Sequence, residues 1–283
     1  MFSIEMCRIQ FSLIATDTIN LPSYKGSTFR GGFGRALKAI SPTWSTYFFQ
    51  PLNQYDSQDI PKPFVLLPPL DQQQIYQANE TFHCEITLFA DATRHVAIVQ
   101  AAIEYLGNKL GLGRSQGKFK IADITESSFS GTNRHSRTNL QTLSLELKTR
   151  LRLKSANHLW KQSLPPPFSL LMERLLDRLK ALQKNYSDIA IDEQKCSQLL
   201  HQAHEIQTLP SNVEWKDWNR YSSSQEVWMK FGGLLGKIYF QGNLQPFLPY
   251  LQIGEWCHIG GKSSFGLGKY LIDYGEPHEN TPT

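Results

Sequence analysis

Residues 258–272 read HIGGKSSFGLGKYLI, with four glycines between 260 and 268 and Lys262 and Lys269 among them. Backbone N–H groups in a glycine-rich turn, backed by lysines, can hold a phosphate. The spacing excludes a mononucleotide loop. A Walker A motif G-x-x-x-x-G-K-[ST] ending at Gly261-Lys262-Ser263 needs glycine at 256, where Trp256 stands, and a helix after the loop, where a strand follows. A dinucleotide G-x-G-x-x-G is absent too. Two readings remain: contact with a phosphate of a polymer through Gly261, Lys262, Ser263, Ser264 and Lys269, or a tight helix-to-strand turn that requires positive φ.

Other cations fall into two groups. Lys148, Arg150, Arg152 and Lys154 alternate with Leu145, Leu147, Leu151 and Leu153, so a strand here carries four cations on one face. Such a row repels itself unless an anion compensates, and a phosphate backbone is a natural compensator. Lys25, Arg30, Arg35 and Lys38 lie on a helix whose apolar positions are Phe29, Phe33, Leu37 and Ile40. Gly31, Gly32 and Gly34 lie inside it, each costing about 1 kcal/mol against alanine. That cost predicts close approach of another backbone or a ligand. Among the histidines, the usual general bases near neutral pH, His258 borders the glycine-rich loop. His83 is on the polar face of a strand, His95 near a helix start and His135 in a polar stretch; for each alone, a structural role is the ordinary expectation. The pairs His83-Cys84 and Cys257-His258 do not suggest a metal site, because neighbours on a strand point to opposite faces. Trp215, Trp218, Tyr221 and Trp228 could stack on bases, with core filling as the default.

The elements that position these groups repeat. Residues 8–13 alternate as a half-buried strand; the glycine-bearing helix follows; 41–61 reads as a long loop. FVLL (64–67) and TFHCEITLFA are strands, the second with Phe82, Cys84, Ile86 and Leu88 on one face and His83, Glu85 and Thr87 on the other. A helix through Val96, Val99, Ile103, Leu106 and Leu110, the turn GLGRSQG and the strand KFKIADI complete a βαββαβ order, the ferredoxin-like pattern. The polar stretch 127–139 reads as a linker, giving domains 1–127 and 140–283 around 128–139. The second half restarts with LSLELKTRLRLK. After Pro165–Pro167 comes an amphipathic helix (Phe168, Leu171, Met172, Leu175, Leu179, Leu182), then strand candidates VEWKDWNRY, EVWMKFGG and LLGKIYF and a short helix around LQPFLPYLQI. GLGRSQGKFKI (111–121) and FGLGKYLI (265–272) echo one another, which predicts two copies of one α+β fold.

The composition agrees with a globular protein: 283 residues, 40% hydrophobic, 19% charged, net charge +4. The length suits two domains. No apolar run reaches the ~18 residues of a membrane span. Four dispersed cysteines predict neither a disulfide framework nor a zinc ribbon, and suit a reducing cytoplasm.

Four segments together resemble the CRISPR-associated endoribonucleases of the RAMP superfamily that process precursor CRISPR RNA. They are LPSYKGSTFRGGFGRAL (21–37), GLGRSQGKF (111–119), RYSSSQ through FGGLLGKI (220–238) and GEWCHIGGKSSFGLGKY (254–270). The resemblance implies tandem ferredoxin-like domains around a basic cleft and metal-independent cleavage of repeat RNA. The 2′-hydroxyl attacks in line, leaving a 2′,3′-cyclic phosphate and a 5′-hydroxyl; no cofactor takes part. On this pattern Lys25 and Arg30 stabilise the developing charge, and Tyr24 and His258 are the acid–base pair. Arg35, Lys38, Arg114, Lys118, the basic strand and the terminal loop bind RNA. Repeat RNA and CRISPR effector or adaptation proteins are the implied partners, with no membrane, in a monomer or homodimer. Two positions depart from the family pattern: Arg35 stands where GGFG-[H]-AL carries histidine, and Ser224 where arginine is expected. A non-catalytic RNA-binding RAMP subunit is the alternative.

Overall fold

The computed structural model describes residues 4–49, 60–129, 139–217, 219–222 and 227–274, with side chains at 219–222 and 227–230 left aside. In the first half β1 (Met6–Ala15) leads to α1 (Gly26–Ile40) and a short α2 (Pro42–Phe49). Then come β2 (Phe64–Leu67), β3 (Thr81–Phe89), α3 (Val96–Tyr105) and β4 (Phe119–Phe129). The sheet order is β2-β3-β1-β4, all antiparallel. That is the ferredoxin-like arrangement the sequence predicts.

Alternation in β1 turns Ile9, Phe11, Leu13 and Ala15 inward. They meet Phe29, Phe33, Ala36 and Leu37 of α1 and Val99, Ala102 and Ile103 of α3 in one core. Each such large apolar side chain contributes about 1.5–3 kcal/mol when fully buried.

The second half repeats the plan with β5 (Thr142–Leu151), α4 (Phe168–Tyr186), α5 (Glu193–Ala203), β6 (Asn212–Lys216), β7 (Gly233–Gln241), α6 (Leu248–Cys257) and β8 (Tyr270–Asp273). β7 and β8 flank β5, and the outer place beside β7 is shared by β6 and the two-residue strand Gln207–Thr208. Both halves are therefore ferredoxin-like. The predicted face of α4 is buried throughout. Among the described residues no helix is long and apolar enough to cross a membrane.

Several expectations change. The stretch 41–61 is not all loop: α2 occupies 42–49, where Phe48 packs on Phe33 and Phe64. Residues 50–59 lie outside the described residues, as does His135. β4 runs through Phe129, into the segment read as linker, because Ser127, Ser128 and Phe129 still pair with Arg8, Cys7 and Met6. Glu85 and Thr87, expected on an open face, are buried. The second half covers that end of the sheet: Met6, Val65 and Phe89 join its core. Ile40, assigned to the apolar face of α1, is exposed.

Candidate active site at the seam between the two halves

The N-terminal end of α1 and the glycine-rich loop of the second half meet at one seam. Gly26 is what permits it. A Cβ there would collide with the carbonyl oxygen of Phe265. The three costly glycines of α1 do not face the loop. Gly32 lies against Leu106 and Gly34 against Phe49, and a Cβ on Gly31 would meet the Arg35 guanidinium at an ordinary 3.8 Å. The close backbone approach is thus one turn earlier than the sequence suggests.

The Tyr24 hydroxyl donates to the Phe265 carbonyl at 2.6 Å, fastening the two halves. Burial pushes the phenol pKa up, so the group keeps its proton. On the loop side Gly266, at φ +85°, lies against β2: a Cβ would stand 2.7 Å from both the Leu66 carbonyl oxygen and Pro68 Cδ. Thr149 Oγ1 donates to the Gly266 carbonyl at 2.7 Å and accepts from the Lys269 amide at 2.8 Å. The loop is also tied to β5 by Gly268 N–H to the Arg150 carbonyl and Gly261 N–H to the Arg152 carbonyl.

Cations gather on this scaffold. Arg30 donates from Nε to Ser264 Oγ at 3.3 Å, with its guanidinium 4.2 Å from the Phe265 ring and 5.0 Å from that of Phe49. Lys62, which sequence reasoning does not single out, is half-buried near it; burial and then the charge of Arg30 lower its pKa. It lies just before β2, in a stretch without periodicity to draw attention. Arg150 sits over the Tyr24 ring at 5.5 Å. Burial lowers its pKa, and its buried Nε has no hydrogen-bond partner in the structure. Arg152 is bonded to the Gly232 carbonyl. Lys262 approaches the Phe231 ring from the exposed tip of the loop.

Other expected site residues are placed elsewhere. Lys25 is buried, its Nζ donating to the Asp71 carbonyl at 2.7 Å and to Asp71 Oδ1 at 3.1 Å, and Tyr76 donates to the same Oδ1. His258 is wholly buried at the C-terminal end of α6, its Nδ1 3.2 Å from the Leu267 carbonyl oxygen. Burial, then the charges of Lys269 and Arg178, hold its pKa well below the ordinary value. It is a neutral interior ring and not the exposed base the sequence suggests. Lys269 is buried too: Nζ donates to the Glu255 carbonyl at 2.6 Å and lies 4.0 Å from Glu85, which pairs with Arg8 at 3.1 Å. Burial and Arg8 lower its pKa to about 8. It locks the interface instead of facing a ligand.

The expected row of four free cations on β5 is broken: Lys148 pairs with Glu146, which shares its face. Lys154 is exposed beyond the end of β5. Arg35 and Lys38 are exposed, and Arg35 lies about 140° around α1 from Arg30 at 100° per residue. Arg114 is exposed on the first half's own turn, and Lys118 Nζ donates to the Lys109 carbonyl at 2.6 Å. Trp215 is half-buried and bonded to Asp217. The side chains of Trp218, Tyr221 and Trp228, and residue 224, lie outside the described residues.

Comparisons with known proteins agree with this architecture. Residues 145–270 match the CRISPR-associated endoribonuclease Cas6 family, and residues 4–141 match a family described as an N-terminal domain. An uncharacterized protein of Archaeoglobus fulgidus is 26% identical over 300 residues, covering 96% of this chain and 99% of that one. Thermus thermophilus Cas6 superposes with a TM-score of 0.63 at 14% identity, over 95% of this chain and 99% of that one. A partial Cas6-RT-Cas1–Cas2 complex gives 0.65 at 11% identity, over 95% of this chain and 46% of that one. A RAMP protein binding different RNA substrates gives 0.54 at 12% identity, over 94% and 99%.

The two-domain fold is the one these Cas6 and RAMP structures share. The match to the Cas6 family is carried by the second half of the chain, residues 145–270.

Proposed function

We propose that this protein cleaves repeat RNA in precursor CRISPR transcripts by transesterification. The observation that carries the reading is the seam itself. A proton-holding tyrosine and Arg30 bond the Ser264–Gly266 turn, Arg150 of the other half lies over that tyrosine's ring, and Lys62 feels the charge of Arg30. The Cas6 family match over the second half supports the same substrate class.

In the reaction the ribose 2′-oxygen forms a bond to the adjacent phosphorus as the P–O5′ bond breaks. The 2′-hydroxyl loses its proton, and the 5′-oxygen gains one. The products are a 2′,3′-cyclic phosphate and a 5′-hydroxyl. Negative charge grows on the phosphoryl oxygens, and preorganised cations aimed at it lower the barrier. Arg30 and Arg150 fill that role, with Lys62 adding positive potential. Tyr24 holds the loop in register; kept protonated it is no base, and its single hydroxyl proton reaches a leaving oxygen only if the bond to the Phe265 carbonyl opens. Lys25 reaches a substrate only if Asp71 lets go of it.

The seam's own histidine, His258, is buried, and that observation favours a second reading: a subunit that holds CRISPR RNA without cutting it. One experiment separates the two. Repeat RNA from the neighbouring array is incubated with excess protein in EDTA, beside the same RNA with 2′-deoxyribose at the scissile position. Cleavage of the ribose substrate alone, leaving a cyclic phosphate, supports the nuclease. Tight, salt-sensitive binding with both RNAs intact selects the holding subunit.

A further inference from the structure

The open face of the first sheet carries a cavity. β1 turns Gln10 and Ser12 away from the core, and the register sets Gln10 opposite Glu85 and Thr125, and Ser12 opposite His83. At the Arg8 end this face is covered: the Arg8 guanidinium lies 3.9 Å from the Trp256 ring and bonds the Glu255 carbonyl. Where the cover stops, a cavity of about 380 Å³ opens above Gln10, Ser12, His83, Glu85 and Thr125. Leu67, Pro68 and Leu70 wall it. That size is within the range of small-ligand pockets.

The lining chemistry selects the occupant. Glu85 is the lone Asp, Glu, Lys or Arg among the lining residues. Among the described residues the lining holds no cation, and Arg8, which pairs with Glu85 at 3.1 Å, is engaged by the Glu255 carbonyl and the Trp256 ring, so a phosphate is disfavoured. A flat, neutral, hydrogen-bonding ring suits it: the Leu67–Leu70 wall and the His83 imidazole offer apolar surface, and the strand side chains offer polar atoms. Ser12 Oγ and His83 Nδ1 lie 3.2 Å apart, which fixes the imidazole on the floor. Glu85 Oε2 accepts from Gln10 at 3.5 Å, a long bond that a better donor can replace.

The position ties this cavity to the seam. Leu66 and Pro68 press on Gly266, while Leu67, Pro68 and Leu70 wall the cavity. One short segment borders both.

We propose that this cavity holds a single unstacked nucleobase of the RNA that crosses the seam, and that it prefers bases bearing an exocyclic amino group, which can donate to Glu85. The proposal rests on the RNA-binding reading above and adds a base preference to it. Specificity then comes from a sheet face beside, and distinct from, the cations that supply affinity.

The test uses the full chain and fluorescently labelled oligoadenylate, oligocytidylate and oligouridylate of equal length, titrated at fixed salt. The expected result for the wild type is binding of the adenylate or cytidylate about tenfold tighter than the uridylate. Ser12→Leu, which fills the cavity, and Leu70→Asp, a change at a 42% exposed wall residue, should each erase that preference and leave uridylate binding unchanged. The second variant stands in if the first fails to fold. Equal affinities in the wild type, or variants that keep the preference or weaken all three RNAs alike, overturn the base pocket and leave the RNA reading standing. A wild type that binds none of the three at low salt but binds repeat RNA overturns the base pocket alone; one that binds neither overturns both.

Discussion

The two glycine-rich turns share a sequence pattern and differ in what they touch. The first, at 111–117, packs within its own domain: a Cβ on Gly113 would collide with the Asn20 carbonyl oxygen, and Ser115 bonds to Thr18 and Asn20. The second, at 260–268, reaches across to the other domain at Gly26, Tyr24 and Leu66. The same local code closes a domain in one place and builds a seam in the other. On the proposed reading the duplicated turns are not duplicated sites: among the described residues, Arg30 and Arg150 stand beside the second turn and not the first.

Exchanging one arginine from each turn's surroundings tests this contrast most strongly. Arg30→Ala should lower the single-turnover cleavage rate about 10²–10³-fold, the usual effect of removing one preorganised donor to developing charge. Arg114→Ala should stay within about twofold of wild type. Equal losses would break the comparison.

The glycines come next. Ala at Gly113 or Gly266 must adopt φ of +73° or +85° beside a carbonyl oxygen. Each should cost about 2–4 kcal/mol in chemical denaturation. The folded fraction of Gly113→Ala should cleave at the wild-type rate, whereas Gly266→Ala should cleave slowly even when folded.

Buried titrations sharpen the difference further. His258 is held neutral in the fold, so the unfolded chain binds the extra proton. Stability should fall as pH drops below about 6.5, by up to about 1.4 kcal/mol per pH unit. His258→Asn should flatten that fall. Lys269 titrates near pH 8 in the fold and higher when unfolded, so the unfolded chain again binds more protons above pH 8. Its contribution should raise stability by about 1 kcal/mol between pH 8 and 9. Lys269→Met should remove that rise.

The fold is largely legible in the sequence because periodicity reports burial within a domain. Phe82, Cys84, Ile86 and Leu88, or Leu171, Leu175, Leu179 and Leu182, declare a core face whatever lies beyond it. The seam is less so, because nothing local distinguishes a residue buried by its own domain from one buried by the next. Glu85 and Lys269 look like surface chemistry in the sequence, yet both are buried 4.0 Å from one another across the seam, and His258 is buried against Leu267 of its own half. Lys25 misleads for a related reason: its partner Asp71 lies 46 residues away in a loop with no pattern. Arg30 stands out because its helix announces itself, whereas Gly26 hides beside three more conspicuous glycines.

The bond from Tyr24 to the Phe265 carbonyl spans 241 residues. A ribosome releases the first of these groups long before the second, and domains fold as they emerge. The first sheet can pair while α1 still lacks its counterpart. The seam therefore forms only once residue 265 has emerged, and a nascent chain stalled before it holds a first domain with half a seam.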